Sequence, residues 1–244
     1  MNVTMEKKIV LQGQRLVPGA RAVRASSQAA RELAGSRIFL LSPASAAGAR
    51  ARLLLNVSSE FELAVRLRTA GAQLGEIFSF MSSLYFRGKL TYAQRFAAPP
   101  KGAPGVLVIT PSRGLLVPEH MMTLQDLEEM TRGDVHHENE NYRRPLMKDA
   151  QLLIERLEAK TEVVLLGSIA TPKYVKPLLE IFGDRLVCPA EFVGIGDMSR
   201  GGLLLKCFRE EVELKYVPVA GSKLSSARPK SGRNVRRRVK KVGA

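Results

Sequence analysis

Short runs of Val, Ile and Leu, each cut off by Pro, Gly or a charged turn, most narrow the folds open to this chain. Arg37-Ile38-Phe39-Leu40-Leu41-Ser42-Pro43 is the first, Gly105-Val106-Leu107-Val108-Ile109-Thr110-Pro111 the second and Glu162–Ile169 the third. Runs of this length suit strands buried on both faces. Arg185–Ala190 and Glu213–Val219 read as a fourth and a fifth strand. Helical segments lie between them. Residues 44–55 are rich in Ala, Arg and Leu, and Leu74–Phe96 reads as one or two helices meeting near Gly88. Thr123 is placed to cap a short acidic helix, Leu124–Met130. Tyr142–Lys160 carries a stripe of Leu146, Ala150, Leu153, Ile154 and Leu157. Thr171-Pro172 caps and opens a helix through Phe182, closed by Gly183, and Ser199 is placed to cap one over Gly201–Arg209. Glu60–Arg68 shows strand periodicity with helical composition and is left open between the two. The alternation predicts an α/β fold: a three-layer, Rossmann-like sandwich with a mainly parallel sheet of four to five strands.

Charge divides the chain differently. The net charge is +15, yet residues 36–222 carry 23 basic and 21 acidic side chains. The excess sits in residues 1–35, read as a basic arm ending in a helix over Ser26–Ala34, and above all in residues 223–244. That tail holds nine Lys or Arg and no acidic residue, densest at Arg233, Arg236, Arg237, Arg238, Lys240 and Lys241. Its composition offers nothing to bury, so it is expected to be disordered in isolation. A polyanion would meet the tail before the nearly neutral body, which makes nucleic acid, DNA or RNA, the expected partner. Cys188 and Cys207 have no CxxC partner and lie in apolar sequence, as expected of reduced, buried thiols. No apolar run approaches the roughly 20 residues of a membrane span, and no secretory signal is recognisable. These features predict a cytoplasmic protein that does not enter membranes.

In open α/β sheets, ligands gather beyond the carboxyl ends of the strands. That rule selects Ser42, then Ser112 and Arg113, then Ser168, then the stretch from Glu191 to Gly202 that contains Ser199 and Arg200. Hydroxyls beside backbone amides suit phosphate or another anion. Strand-to-helix turns also use these residue types without any ligand. Gly194–Gly202 has four glycines and Arg200 but no GK[ST], and the same residues serve a capped turn equally well. Asp197 and Glu191 are the candidate general bases. In Ser82–Phe96, aromatic and basic residues interleave. Tyr85 and Tyr92 could stack bases while Arg87, Lys89 and Arg95 hold phosphates, although core packing gives the same pattern. The loop Gly133–Asn141 joins His136 and His137 to acidic residues, a set open to metal or general acid–base roles, but it has no HExxH or HxH pattern and reads more readily as a solvated loop; no metal and no cofactor is expected.

Ser83-Leu84-Tyr85-Phe86-Arg87-Gly88-Lys89 with Tyr92-Ala93, followed by Val108 to Pro118, resembles an uncharacterised bacterial α/β family. That family is related to the uracil-DNA-glycosylase-like module of archaeal tRNA transglycosylases. The resemblance covers about a sixth of the chain and implies an α/β fold in a nucleic-acid or nucleobase setting. The chain departs from it after the first strand, where Ser42-Pro43-Ala44-Ser45 has no Lys. The water-activating Asp turn and His loop of active glycosylases are not recognisable, so base excision is not implied. Three readings follow: a nucleic-acid-associated protein with a nucleotide or nucleobase site at the strand ends, an enzyme acting on such a ligand, or an RNA assembly factor.

Overall fold

The structure, a computed structural model, describes residues 35–221 apart from 47, 83 and 193. The N-terminal helix expected over 26–34 and the basic tail lie outside the described residues. In chain order the elements are β1 (Arg37–Leu41), α1 (Ala49–Leu55), α2 (Glu62–Thr69), β2 (Ala72–Gln73) and α3 (Leu74–Ser82). They continue with α4 (Leu84–Phe96), β3 (Val106–Ile109), β4 (Leu115–Leu116), β5 (Met121–Met122), α5 (Leu124–Arg132) and α6 (Glu140–Ile154). The last are β6 (Glu162–Leu166), α7 (Pro172–Phe182), β7 (Leu186–Pro189), α8 (Asp197–Glu210) and β8 (Tyr216–Pro218).

Six strands form one sheet in the order β4-β3-β1-β6-β7-β8, and β2 pairs with β5 separately. The inner four are parallel, while β4 and β8 run antiparallel to their neighbours. The sheet thus has one strand more than expected. The extra strand is β4, whose two residues are too few to leave a periodic signal.

Side chains along the inner strands point alternately to two faces. Ile38, Leu40, Leu107, Ile109, Val163, Leu165, Leu186 and Cys188 pack with residues of α6 and α7. Phe39, Leu41, Val106, Val108, Val164, Leu166 and Val187 pack with α1 to α5 and α8. Both faces are covered, which is why the runs lack polar alternation. This is the three-layer α/β sandwich.

Several boundaries differ from the sequence reading. Glu60–Arg68 resolves as helix: Leu63 and Leu67 are buried, whereas Val65 is 40% exposed, so the period-2 pattern does not mark a sheet face. The break in Leu74–Phe96 falls between Ser82 and Leu84, and Gly88 sits inside α4. There it meets Gly201 of α8. A Cβ on Gly88 would stand 2.8 Å from the Gly201 carbonyl oxygen, and one on Gly201 2.9 Å from Tyr85 Cα. The two glycines let these helices touch backbone to backbone. Helix α6 stops at Ile154; the chain then turns, and Arg185 donates to the carbonyls of Glu158 and Thr161. Helix α8 starts at Asp197 with Gly196 as its cap, so Ser199 lies within the first turn and caps nothing. Thr123 does cap α5, and Asp126 returns the bond to the Thr123 backbone N–H, completing a capping box. Cys188 and Cys207 are free and buried, and burial pushes the Cys188 thiol up to about 11.

Candidate functional site

The chain leaves β1 for β3 on one side, then crosses back to place β6 on the other. Neighbouring strands β1 and β6 therefore send their connections in opposite directions, the arrangement that opens a crevice beyond the strand ends. A cavity of about 490 Å³ lies there. Ser42, Pro43 and Ser45 line it after β1, Pro111 after β3 and Ser168 after β6. Tyr85 of α4, Asp134 from the loop after α5, Lys173 and Tyr174 of α7, and Asp197 of α8 complete the wall used below. The size falls within the roughly 300–1,000 Å³ of small-molecule sites.

Two helices present their N-termini to this space. Contrary to the sequence reading, the Thr171 side chain does not cap α7, where Pro172 already fixes the first turn, and Gly196 has no side chain to offer α8. First-turn N–H groups have no acceptor inside a helix, so both ends carry uncapped donors and partial positive charge. Lys173 adds a full charge beside one of them.

Behind the wall, Lys89 is buried to 1% exposure. Its Nζ donates to the Ser42 carbonyl oxygen at 2.6 Å and to Ser42 Oγ at 2.8 Å. It also lies 4.5 Å from the ring centroid of Tyr85 and 5.0 Å from that of Phe86. Burial lowers its pKa to about 7; Asp197 opposes the fall and Arg200 adds to it. Arg200, also buried, donates to the Phe192 carbonyl at 2.9 Å and pairs with Asp197 at 3.2 Å. Burial likewise raises the hydroxyls of Tyr85 and Tyr174 to about 12, Arg200 pulling against the rise at Tyr85 and Asp197 reinforcing it at Tyr174. Among the described residues, the Tyr85 hydroxyl and Arg200 Nε are buried with no hydrogen-bond partner at bonding geometry.

The structure therefore gathers part of the expected set. Ser42, Ser168, Tyr85 and Asp197 line the cavity, with Lys89 and Arg200 directly behind them. The others stand elsewhere. Ser112-Arg113-Gly114 is the turn of the β3–β4 hairpin, where Arg113 is engaged by Asp126 and Glu129. Gly114 has φ +62°, and a Cβ there would collide with Asp149, whose Oδ2 accepts from Leu115 N. Glu191 lies in a 3-10 turn outside the cavity lining, and Ser199 is exposed on α8. Tyr92 is fully buried; its hydroxyl bonds Tyr216 and accepts from Leu214 N, so it cannot stack on a base. Arg95 pairs with Glu211 at 2.6 Å. Arg87 lines a separate hollow with Arg50, Phe61 and Phe80. Arg233, Arg236, Arg237, Arg238, Lys240 and Lys241 lie outside the described residues.

Sequence reasoning missed Lys173 and Tyr174, although they had a legible signal, since Thr171-Pro172 fixes them in the first turn of a helix that follows a strand. Asp134 lies in the acidic, histidine-bearing loop singled out above, of which the structure brings Gly133, Asp134 and Val135 to the cavity. Among the described residues no His, Cys, Asp and Glu side chains group as metal ligands, and no helix is long and apolar enough to cross a membrane. Comparison with family models, with curated proteins and with solved structures finds no match to this chain.

Proposed function

We propose that the cavity binds a nucleotide-class ligand, a nucleobase or nucleoside bearing phosphate, and that the basic ends of the chain hold nucleic-acid backbone. One observation carries the reading: two uncapped helix N-termini and Lys173 converge with Tyr85 and Tyr174 on a single cavity. Helix N-termini favour phosphate, and tyrosine rings favour the face of a base. Asp134 and Asp197 supply acceptors for ring N–H or amino groups, and Ser45 and Ser168 suit sugar hydroxyls. The resemblance of Ser83–Ala93 and Val108–Pro118 to a glycosylase-related family supports a nucleobase setting. A cytoplasmic location agrees with the two free thiols.

Calorimetric titration of the full chain with mononucleotides and their nucleosides tests the cavity. The expected result is binding of at least one nucleotide, with the phosphate strengthening it and Lys173→Ala weakening it about tenfold, a loss of about 1.4 kcal/mol. Equal heats for the wild type and Lys173→Ala, or no binding of any nucleotide, would overturn the reading.

A further inference from the structure

We propose that Ser42 and Lys89 form a nucleophile–base pair that takes an acyl group from an ester or thioester held in the cavity. The pair is assembled from distant sequence. Ser42 directly follows β1 and Lys89 projects from α4, where the Gly88–Gly201 contact seats the helix. Ser42 lines the cavity while its Oγ meets Lys89 Nζ at 2.8 Å, within the reach required of a general base. A serine hydroxyl is a weak nucleophile until a neighbouring group accepts its proton, and lysine fills that role in Ser-Lys sites.

For Lys89 to accept a proton it must be able to lose one. Its two hydrogen bonds go to Ser42, neither of them to a carboxylate. The Tyr85 and Phe86 rings favour the ammonium, but full burial without a bonded carboxylate favours the free amine. The groups that face it are Ser42 after β1, Tyr85 and Phe86 on its own helix, and Asp197 and Arg200 from α8. The two charges from α8 oppose one another, so desolvation decides, and the pKa near 7 agrees. Gly167 leaves room for the nucleophile: a Cβ there would stand 2.9 Å from Ser42 Cβ and 3.2 Å from Oγ. The uncapped first turn of α7, with Lys173 and Tyr174 on the same cavity, offers N–H donors for the developing oxyanion.

The step balances without a further reactant except water. Ser42 Oγ passes its proton to neutral Lys89 Nζ and bonds to the carbonyl carbon, whose π pair moves to oxygen. Collapse of that oxyanion expels the alcohol or thiol, which takes the proton back from Lys89. Water then gives its proton to Lys89, attacks the acyl-Ser42 carbon and releases the carboxylic acid, with Ser42 recovering its proton. Nothing in this sequence requires the ligand to be a nucleotide, so its failure leaves the titration above untouched.

The test is labelling of the full chain with an alkyl fluorophosphonate, read by intact mass and peptide mapping. One adduct on Ser42 is expected, with loss of fluoride, and none on Ser42→Ala. The wild-type labelling rate should rise through about pH 7 and then level off, because the amine is the active form. Lys89→Met should slow labelling by about 10²-fold or more while keeping a cooperative thermal melt. If that variant does not fold, the wild-type pH profile still decides. No adduct, an adduct on another residue, or a Ser42 rate that climbs tenfold per pH unit without levelling would overturn the proposal. Each of those results would leave Lys89 as a tether for the end of β1.

Discussion

Gly201→Ala and Gly202→Ala are adjacent substitutions in one helix with opposite expected outcomes. Both gain helix propensity, about 1 kcal/mol relative to glycine. At Gly202 a Cβ meets nothing within 4 Å, so that gain should appear as added stability. At Gly201 the Cβ would stand 2.9 Å from Tyr85 Cα and 3.1 Å from the Leu84 carbonyl oxygen. Both obstacles are backbone of α4, which cannot rotate away like a side chain. Overpacking of this kind costs about 1–3 kcal/mol. Since the propensity term is common to both variants, the difference between them isolates the steric one. With a urea slope of about 2–3 kcal/mol per molar, their unfolding midpoints should lie about 0.3–1.5 M apart, Gly202→Ala higher. Gly88→Ala should fall on the Gly201 side, because its Cβ would meet the Gly201 carbonyl oxygen at 2.8 Å. Coincident midpoints for Gly201→Ala and Gly202→Ala would refute the close crossing of α4 and α8.

Three further outcomes are expected. Lys89→Met should change how stability depends on pH: the folded chain releases the Lys89 proton near 7 and the unfolded chain near 10.5, so wild-type stability gains with pH across that window and the variant, followed by urea melts, lacks the gain. Thr123→Ala should cost about 1 kcal/mol through loss of the α5 cap, measured the same way. The backbone N–H of Thr123 is the main cause holding the Asp126 carboxyl below its ordinary 3.8, so the wild-type contribution is full above that value and is lost as pH falls through the lowered one. Deleting residues 223–244 should flatten the salt dependence of nucleic-acid binding by about 0.9 log units per phosphate contact removed, and filter binding across a salt series would show an unchanged slope if the tail plays no part.

The architecture was legible because it rests on local pattern. The runs at Ile38–Leu41, Val106–Ile109 and Val163–Leu166 need burial on both faces whatever surrounds them. Thr123 with Asp126 and Thr171 with Pro172 announce helix starts within four residues. Illegible features depend on a distant partner. Gly88 looked like a helix break because its reason for being glycine is Gly201. Ser42 and Lys89 were each read as anion ligands, yet they meet across 47 positions and satisfy one another. Tyr85 and Tyr92 share an aromatic-basic segment, but only the cavity wall and the Tyr216 hydroxyl separate their roles. Arg113 looked free at a strand end, and only the position of α5 reveals the carboxylates that occupy it.

The margins of the sheet bear on how copies of this chain could associate. Two-residue β4 and three-residue β8 close off the parallel core, and each runs against its neighbour. Borders so brief give an incoming segment too few amides and carbonyls to zip onto. Self-association through backbone pairing there is disfavoured by construction.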